Sequence, residues 1–145
     1  MSNITRKSAA EIAEMRRAGA IVAEVLARVE EAARPGASTA ELDALAEQLI
    51  RTAGAASNFK GYHGFPATIC ISIDAEVVHG IPGDREIKEG SLVSVDAGAI
   101  WEGWHADAAR TFYVGEAPAA VAMLIASTRA ALDAGIAVAR PGATI

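Results

Sequence analysis

The chain carries one short motif twice, and this repetition constrains its fold more than any other feature. The segment Arg34–Ser38 reads Arg-Pro-Gly-Ala-Ser, and Arg140–Thr144 reads Arg-Pro-Gly-Ala-Thr. In both copies a long helical pattern with a leucine at the matching place, Leu26 and Leu132, runs into the Pro-Gly stop. A match this short in an alanine-rich chain also arises by chance. Two interpretations therefore stay open: a chance match, or a duplicated fold represented up to its midpoint.

Composition narrows the class of protein. The chain has 145 residues, of which 52% are hydrophobic, the size and content of one ordinary domain. No uninterrupted run of about 18 apolar residues is present, so no transmembrane helix is expected, and Met1–Glu14 lacks the apolar stretch of a secretory signal. The single cysteine, Cys70, excludes an internal disulfide and suits a reducing cytoplasm. A net charge of −5 without a basic cluster argues against a nucleic-acid partner.

Periodicity and capping predict an α+β fold. Ser8 and Glu11, then Ser38 and Glu41, each form a capping-box pattern that begins a helix. The first helix stops before Pro35 and its inward stripe is Ile12, Met15, Gly19, Val22, Leu26 and Val29. The second directs Leu42, Leu45, Leu49 and Ile50 inward and ends near Gly54. Predicted strands follow at Thr68–Ile73, Val77–Val78, Leu92–Ile100 and His105–Val114, and a third helix runs to about Ala139.

Two aspartates lie on runs that flank a tight-turn sequence. Asp96 and Asp107 stand on either side of Trp101–Trp104, where a glycine supplies the backbone freedom that a turn needs. An antiparallel hairpin with an even-numbered loop places both on one face. A Trp101–Glu102 loop makes them direct cross-strand partners, and a Glu102–Gly103 loop makes them diagonal neighbours. Either way their Cβ atoms come within about 5–8 Å.

Two carboxylates this close on an apolar strand repel each other unless something positive lies between them. A divalent metal ion is the natural candidate, because carboxylate oxygens can bridge two ions. The alternative is that one or both aspartates face solvent or cap a turn. That alternative is weakened for Asp96, which follows the apolar run Leu92–Val95, since an aspartate on a buried strand needs a partner.

Other residues with functional chemistry are less specific on their own. His79 ends a short apolar segment before a Gly/Pro turn, which suits a hydrogen-bond donor or general acid–base group, although a surface or core histidine fits equally. His63 and His105 are weaker candidates for supporting or loop positions. Cys70 lies within an apolar run and by itself reads as a small buried hydrophobe. No Ser/His/Asp order, phosphate-binding glycine loop or zinc-finger spacing is present.

Taken in order, these motifs resemble type I methionine aminopeptidase over essentially the whole chain. The motifs are Gly61–Pro66, Cys70–Ile73, His79–Pro82, Val95–Asp96 and His105–Arg110. The resemblance implies the pita-bread fold, in which two α/β halves are related by pseudo-two-fold symmetry and the metal site lies at their junction. Residues 1–145 would be the N-terminal half, with two helices, an antiparallel curved sheet and a third helix, ending at the internal midpoint.

The resemblance also implies roles for individual residues. Asp96 is similar to the family's metal-chelating aspartate and Asp107 to the aspartate that bridges both metals. His79 is similar to the catalytic histidine that contacts the substrate and stabilises the reaction intermediate. The implied activity is removal of the N-terminal methionine of nascent polypeptides by metal-activated water, with two divalent ions (Co, Mn, Fe or Zn) as cofactors. Three residues correspond to the lining of the pocket for the methionine side chain: Tyr62, Phe65 and Cys70.

Two departures from the family pattern stand out. The family has glycine where this chain has Ala106, whose extra methyl group either crowds the metal strand or points away from it. The remaining family ligands, one histidine and two glutamates, belong to the C-terminal half and are not present up to Ile145. The chain thus holds two of the family's five metal-binding side chains, which leaves its activity alone in doubt.

Two further functions are compatible with the same residues. A proline-specific aminopeptidase or a creatinase-like hydrolase would share the fold, although the Tyr62–Cys70 segment favours the methionine-specific type. The non-enzymatic alternative is a half-fold that binds a partner or self-associates through its exposed apolar face.

Overall fold

The computed structural model describes residues 5–144, so Met1–Ile4 and Ile145 of the predicted 1–145 domain lie outside the described part. Helix α1 spans Ala9–Ala32 and begins at a complete capping box between Ser8 and Glu11. Its buried face carries five residues: Ala18, Val22, Val25, Leu26 and Val29. The predicted stripe is therefore correct in the second half of α1. It is wrong at Ile12 and Met15, which are 42% and 39% exposed. The buried face of α1 begins only at Ala18.

Helix α2 spans Thr39–Thr52 and begins at the second predicted capping box, in which Ser38 and Glu41 satisfy each other's backbone amides. Its buried residues are Thr39, Leu42, Ala46 and Ile50. The connection from α1 is fixed by two backbone hydrogen bonds to Ile87, which accepts from Gly36 at 2.9 Å and donates to Ala37 at 2.8 Å. The two helices thus form one layer, held at its connection to the loop that leads into the sheet.

The four described strands form one antiparallel sheet around a central strand. They are β1 (Ala56–Ser57), β2 (Ile69–Ile73), β3 (Leu92–Trp101) and β4 (Trp104–Tyr113). Both β1 and β2 pair along one edge of β3, and β4 pairs along the other. Among the described strands β4 pairs only with β3, so its outer edge carries unpaired backbone groups.

The predicted strand at Val77–Val78 is wrong. Directly after β2 the chain turns back at Asp74, which has a positive φ of 58°, and Glu76 binds the backbone nitrogen of Ile73 at 2.8 Å. The valines consequently project into solvent, with 86% and 65% of their surfaces exposed. Strand β1 was not predicted because two residues are too short to show an alternating pattern.

The core lies on one face of the sheet only. Alternate residues of β3, together with the isoleucines of β2, face α1 and α2: Val93, Val95, Ala97, Ala99, Ile69, Ile71 and Ile73. The opposite residues of β3, including Asp96, point away from the helices. The sheet therefore has a helix-covered face and an open face.

Helix α3 spans Ala119–Val138, as predicted, and none of its residues is buried. Its large apolar side chains are exposed: Met123, Leu124, Leu132, Ile136 and Val138. By length and composition alone α3 would suffice to cross a membrane, and it is the one helix within residues 5–144 that would. The expectation of no such helix rested on the absence of an uninterrupted apolar run, and it is not confirmed.

The two copies of the repeated motif adopt the same conformation. Gly36 and Gly142 both have φ of 88°, and in each copy the alanine that follows donates to the arginine carbonyl at 3.0 Å. Glycine is required at both positions because other residues rarely adopt this left-handed conformation. The same local turn therefore follows α1 and α3.

Candidate metal centre

A two-residue turn fixes how the aspartates face each other. Glu102 and Gly103 have positive φ values of 48° and 82°, which are typical of the type I′ hairpin turn. Trp101 then pairs with Trp104, and the register continues along the hairpin to Gly98 opposite Asp107. Of the two predicted loops, the Glu102–Gly103 loop is the one formed. The aspartates are diagonal neighbours and not direct partners.

Asp96 and Asp107 lie on the open face of the sheet. Asp96 pairs with Ala109, two residues beyond Asp107 on β4, so both carboxylates project from the same side. Burial is the largest cause that raises the pKa of Asp96 above its usual range. The negative charge of Asp107 and a hydrogen bond with it raise this pKa further. The two side chains therefore meet, as the hairpin parity predicted.

The segment that carries His79 is held against β2 by backbone hydrogen bonds. Its neighbour Gly80 accepts a hydrogen bond from the backbone nitrogen of Ile71 at 2.9 Å and donates to Ser72 Oγ at 3.0 Å. A side chain at residue 80 would overlap the Ile71 backbone, so only glycine allows this approach. His79 is close enough to Asp96 to lower its pKa, against the two larger effects. The structure thus brings three predicted site residues together.

Cys70 is the register partner of Asp96 on β2 and is 5% exposed. Burial first, and then the negative charges of Asp96, Asp107 and Asp43, raise the pKa of its thiol to about 11. The side chain therefore stays a neutral thiol at physiological pH. A neutral thiol suits the lining of an apolar pocket better than the binding of a metal, since metals bind the thiolate.

The two predicted aromatic pocket residues lie in the loop before β2. Tyr62 begins a short 3₁₀ turn, Tyr62–Gly64, and is 68% exposed, with its ring 4.3 Å from that of His63. Phe65 follows the turn and is partly buried. In the part of the chain that the structure describes, neither ring is shown in contact with the aspartate pair. Their role in substrate binding stays a prediction.

Ala106 points away from the carboxylates. It pairs with Ala99 and packs, partly buried, against the core beneath the sheet. Asp107, the next residue on the strand, faces the opposite side. The methyl group of Ala106 therefore points away from the aspartate pair and does not crowd it.

The aspartate pair fits a divalent metal as part of a ligand set. Paired carboxylates supply hard oxygen ligands, and a cation between them would remove the repulsion that raises the pKa of Asp96. Within residues 5–144 no group of three or more His, Cys, Asp and Glu side chains is arranged to hold a metal. Two cavities, of about 370 and 330 Å³, lie elsewhere, around Asp74 and Arg85 and around Glu47 and Lys60. The aspartate pair therefore presents two carboxylates on an open surface.

Comparison with known proteins assigns the family. The sequence profile of metallopeptidase family M24 matches residues 13–145. The chain belongs to metallopeptidase family M24. It is 50% identical over 135 residues to methionine aminopeptidase 1 of Mycobacterium tuberculosis, which covers 92% of this chain and 51% of the relative. The M24 chain thus spans about half the length of the curated relatives that it matches.

Solved structures agree with this assignment. The crystal structure of methionine aminopeptidase from Rickettsia prowazekii superimposes on the M24 chain with a TM-score of 0.93 and 36% identity, covering 97% of this chain and 56% of that one. Xaa-Pro dipeptidase from Bacillus anthracis is less similar, with a TM-score of 0.68 and 26% identity over 81% of this chain and 32% of that one. The predicted pita-bread fold class is confirmed, and the proline-specific alternative is not favoured.

Proposed function

We propose that the M24 chain contributes to a metal-dependent aminopeptidase that removes N-terminal methionine from peptides and nascent chains. The observation that carries the proposal is the diagonal pair Asp96 and Asp107 on the open sheet face, with His79 beside it. The similarity to methionine aminopeptidases supports the same substrate class. Because the chain spans about half the length of those relatives, the activity of the whole enzyme is itself part of this proposal.

Each residue would have a defined task. Asp96 and Asp107 would hold two divalent ions (Mn, Fe, Co or Zn). Such ions, when bound, act as Lewis acids and lower the pKa of a water molecule so that it can attack the first peptide bond. His79 would contact the substrate beside the pair and stabilise the developing charge by a hydrogen bond. Three side chains would receive the methionine side chain of the substrate: Tyr62, Phe65 and Cys70.

Two further properties belong to this proposal. A lone buried thiol is compatible with a reducing compartment, so we place the protein in the cytoplasm. The exposed apolar surface of α3 favours association with a second copy of the chain in solution. Self-association here accompanies the peptidase function and is not an alternative to it.

The test separates metal binding from turnover. Calorimetry should detect uptake of Mn²⁺ or Co²⁺ by the chain, and Asp107→Asn should weaken it strongly because only the carboxylate of Asp96 is left of the pair. Release of methionine from a Met-Ala-Ser peptide, with the same ions added, should depend on Asp107 in the same way. Asp133→Asn is the matched control, since this exposed aspartate lies on α3, where it pairs with Arg129. No metal uptake by the wild-type chain, or uptake unchanged by Asp107→Asn, would overturn the proposal.

A further inference from the structure

A partly buried asparagine on the sheet has one enclosed side-chain atom without a hydrogen-bond partner among the described residues. Asn58 directly follows β1, and its Oδ1 is enclosed without a hydrogen-bond partner within the described residues. The backbone around it is held firmly: Ser57 Oγ donates to the Thr68 carbonyl at 2.8 Å and accepts from the Phe59 backbone nitrogen at 3.0 Å. The position of Asn58 is therefore fixed by its surroundings and not by hydrogen bonds of its own Oδ1.

The amide occupies space that only a glycine on β3 leaves free. A Cβ atom at residue 98 would lie 2.7 Å from Asn58 Cγ and 2.8 Å from Nδ2, and it would overlap Oδ1. The β1 pairing of Ala56 with Ile100 and of Ser57 with Ala99 leads to this contact, because the next step along β1 reaches Gly98. The side chain of Asn58 thus takes the place of a side chain at residue 98.

That place faces the carboxylates. Residue 98 projects to the same side as Asp96, two residues earlier on β3, and it is the direct register partner of Asp107. Direct cross-strand partners have Cβ atoms about 4.5–5.5 Å apart. The carboxamide of Asn58 therefore occupies the place directly across from Asp107 on the open face of the sheet.

The oxygen atoms of Asp96, Asp107 and Asn58 on this face need hydrogen-bond donors. Two carboxylates and Oδ1 are all acceptors, whereas the other end of the amide carries two N–H donors. Buried polar atoms without partners are rare in folded proteins and call for a specific explanation. Carboxylates that bind metals are usually held in orientation by such outer hydrogen bonds.

We propose that Asn58 is a positioning residue for the metal site, donating from its amide nitrogen to Asp107 so that this carboxylate is oriented toward the bound ions. Gly98 is part of the same arrangement, because its lack of a side chain makes room for the amide. This inference rests on the proposed function, since it takes Asp107 to be a metal ligand. Neither residue was predicted from the sequence, because an asparagine next to a strand end has no distinctive pattern.

The test is Mn²⁺ affinity measured by calorimetry on the 145-residue chain, alongside the thermal stability of the metal-free protein. Asn58→Leu, close in shape but without donors, should weaken Mn²⁺ binding about 10- to 100-fold. It should not lower the metal-free melting temperature, because it removes an unpaired acceptor. Gly98→Ala should weaken binding similarly by displacing the amide. Gly19→Ala is the matched control, since a Cβ there meets no atom within 4 Å.

A double-mutant cycle distinguishes positioning from a general structural effect. In an Asp107→Asn background, Asn58→Leu should produce no further change in the residual affinity or in the heat signal. Wild-type affinity in Asn58→Leu or in Gly98→Ala would overturn the inference and leave the proposed function intact. Equal losses in Gly19→Ala would also overturn it. No Mn²⁺ uptake by the wild-type chain would overturn both the inference and the proposed function.

Discussion

Asp96 is half-buried beside a second carboxylate, and this arrangement determines how the metal-free protein responds to pH. Burial and the charge of Asp107 raise the pKa of Asp96 above its ordinary value of 3.8. The folded state therefore keeps this proton at pH values where the unfolded chain has lost it. The resulting stabilisation is fully present below the ordinary pKa and is lost as pH rises through the raised pKa.

We expect Asp96→Asn to remove the decrease in stability that the wild-type protein shows as pH rises through the raised pKa of Asp96. The decrease is measured by thermal melts of the metal-free protein between about pH 3 and pH 7, as the difference in melting temperature between variant and wild type. The difference is the proper readout, because Glu11 and Glu41 have pKa values lowered by their capping serines and act with the opposite sign. An Asp96→Asn protein with the wild-type pH profile would contradict the raised pKa.

Ala106 contributes to stability and not to the metal site. Because its methyl group packs against the core, Ala106→Gly should destabilise the protein by about 1–2 kcal/mol, through the lost methyl burial and the greater freedom of glycine. Chemical denaturation measures this change, and Mn²⁺ affinity should stay at the wild-type value. Ala108→Gly on the same strand is the control: residue 108 is exposed, so about 0.5–1 kcal/mol is expected. Tighter Mn²⁺ binding in Ala106→Gly would show that the methyl group does crowd the site.

At the scale of elements, α3 differs from α1 and α2 in burying none of its residues. An apolar helix face exposed to water favours association. Sedimentation velocity at tens of micromolar should therefore show dimers or larger species. A charge within the apolar face, as in Leu132→Glu, should shift the chain toward monomer, whereas Ala126→Glu, on the polar side beside Arg129 and Asp133, should not. A wild-type chain that sediments as a clean monomer would refute the proposed self-association.

Which elements the sequence predicts depends on how local their determinants are. The capping boxes at Ser8 and Ser38 involve side chains three residues from the amides they satisfy, so both helix starts were predictable. Hairpin parity placed Asp96 and Asp107 on one face, although the choice of loop needed the φ values of Glu102 and Gly103. The failure at Val77–Val78 has the opposite origin. A β-branched pair favours a strand, but no neighbouring strand is available for it to pair with.

The contacts that the sequence could not predict join distant segments. Asn58 meets Gly98, and Gly80 meets the Ile71 backbone, only once the sheet has formed. Neither glycine differs in sequence from one in an ordinary turn. The aspartates were found because the turn that unites them is local, whereas the proposed support of Asp107 comes from a strand far away in the chain.

For the whole molecule, metal binding and folding should be coupled. A ligand that binds only the folded state stabilises it by about 2.7 kcal/mol at one hundred times its dissociation constant. Saturating Mn²⁺ should accordingly raise the melting temperature, and chelation by EDTA should reverse the increase. Asp107→Asn should greatly reduce the response, whereas Ala108→Gly should preserve it. An unchanged melting temperature with Mn²⁺ present would mean that the folded chain has no metal preference.

The outer edge of β4, which pairs with none of the described strands, constrains the sequence of any strand that could be added to the sheet there. Because side chains alternate along a strand, a strand added to this edge would direct every second residue toward the face that carries Asp107. The intervening residues would lie on the side of α1. A segment that pairs with this edge should therefore have an alternating sequence. Its metal-binding side chains would be an even number of residues apart, with apolar residues between them.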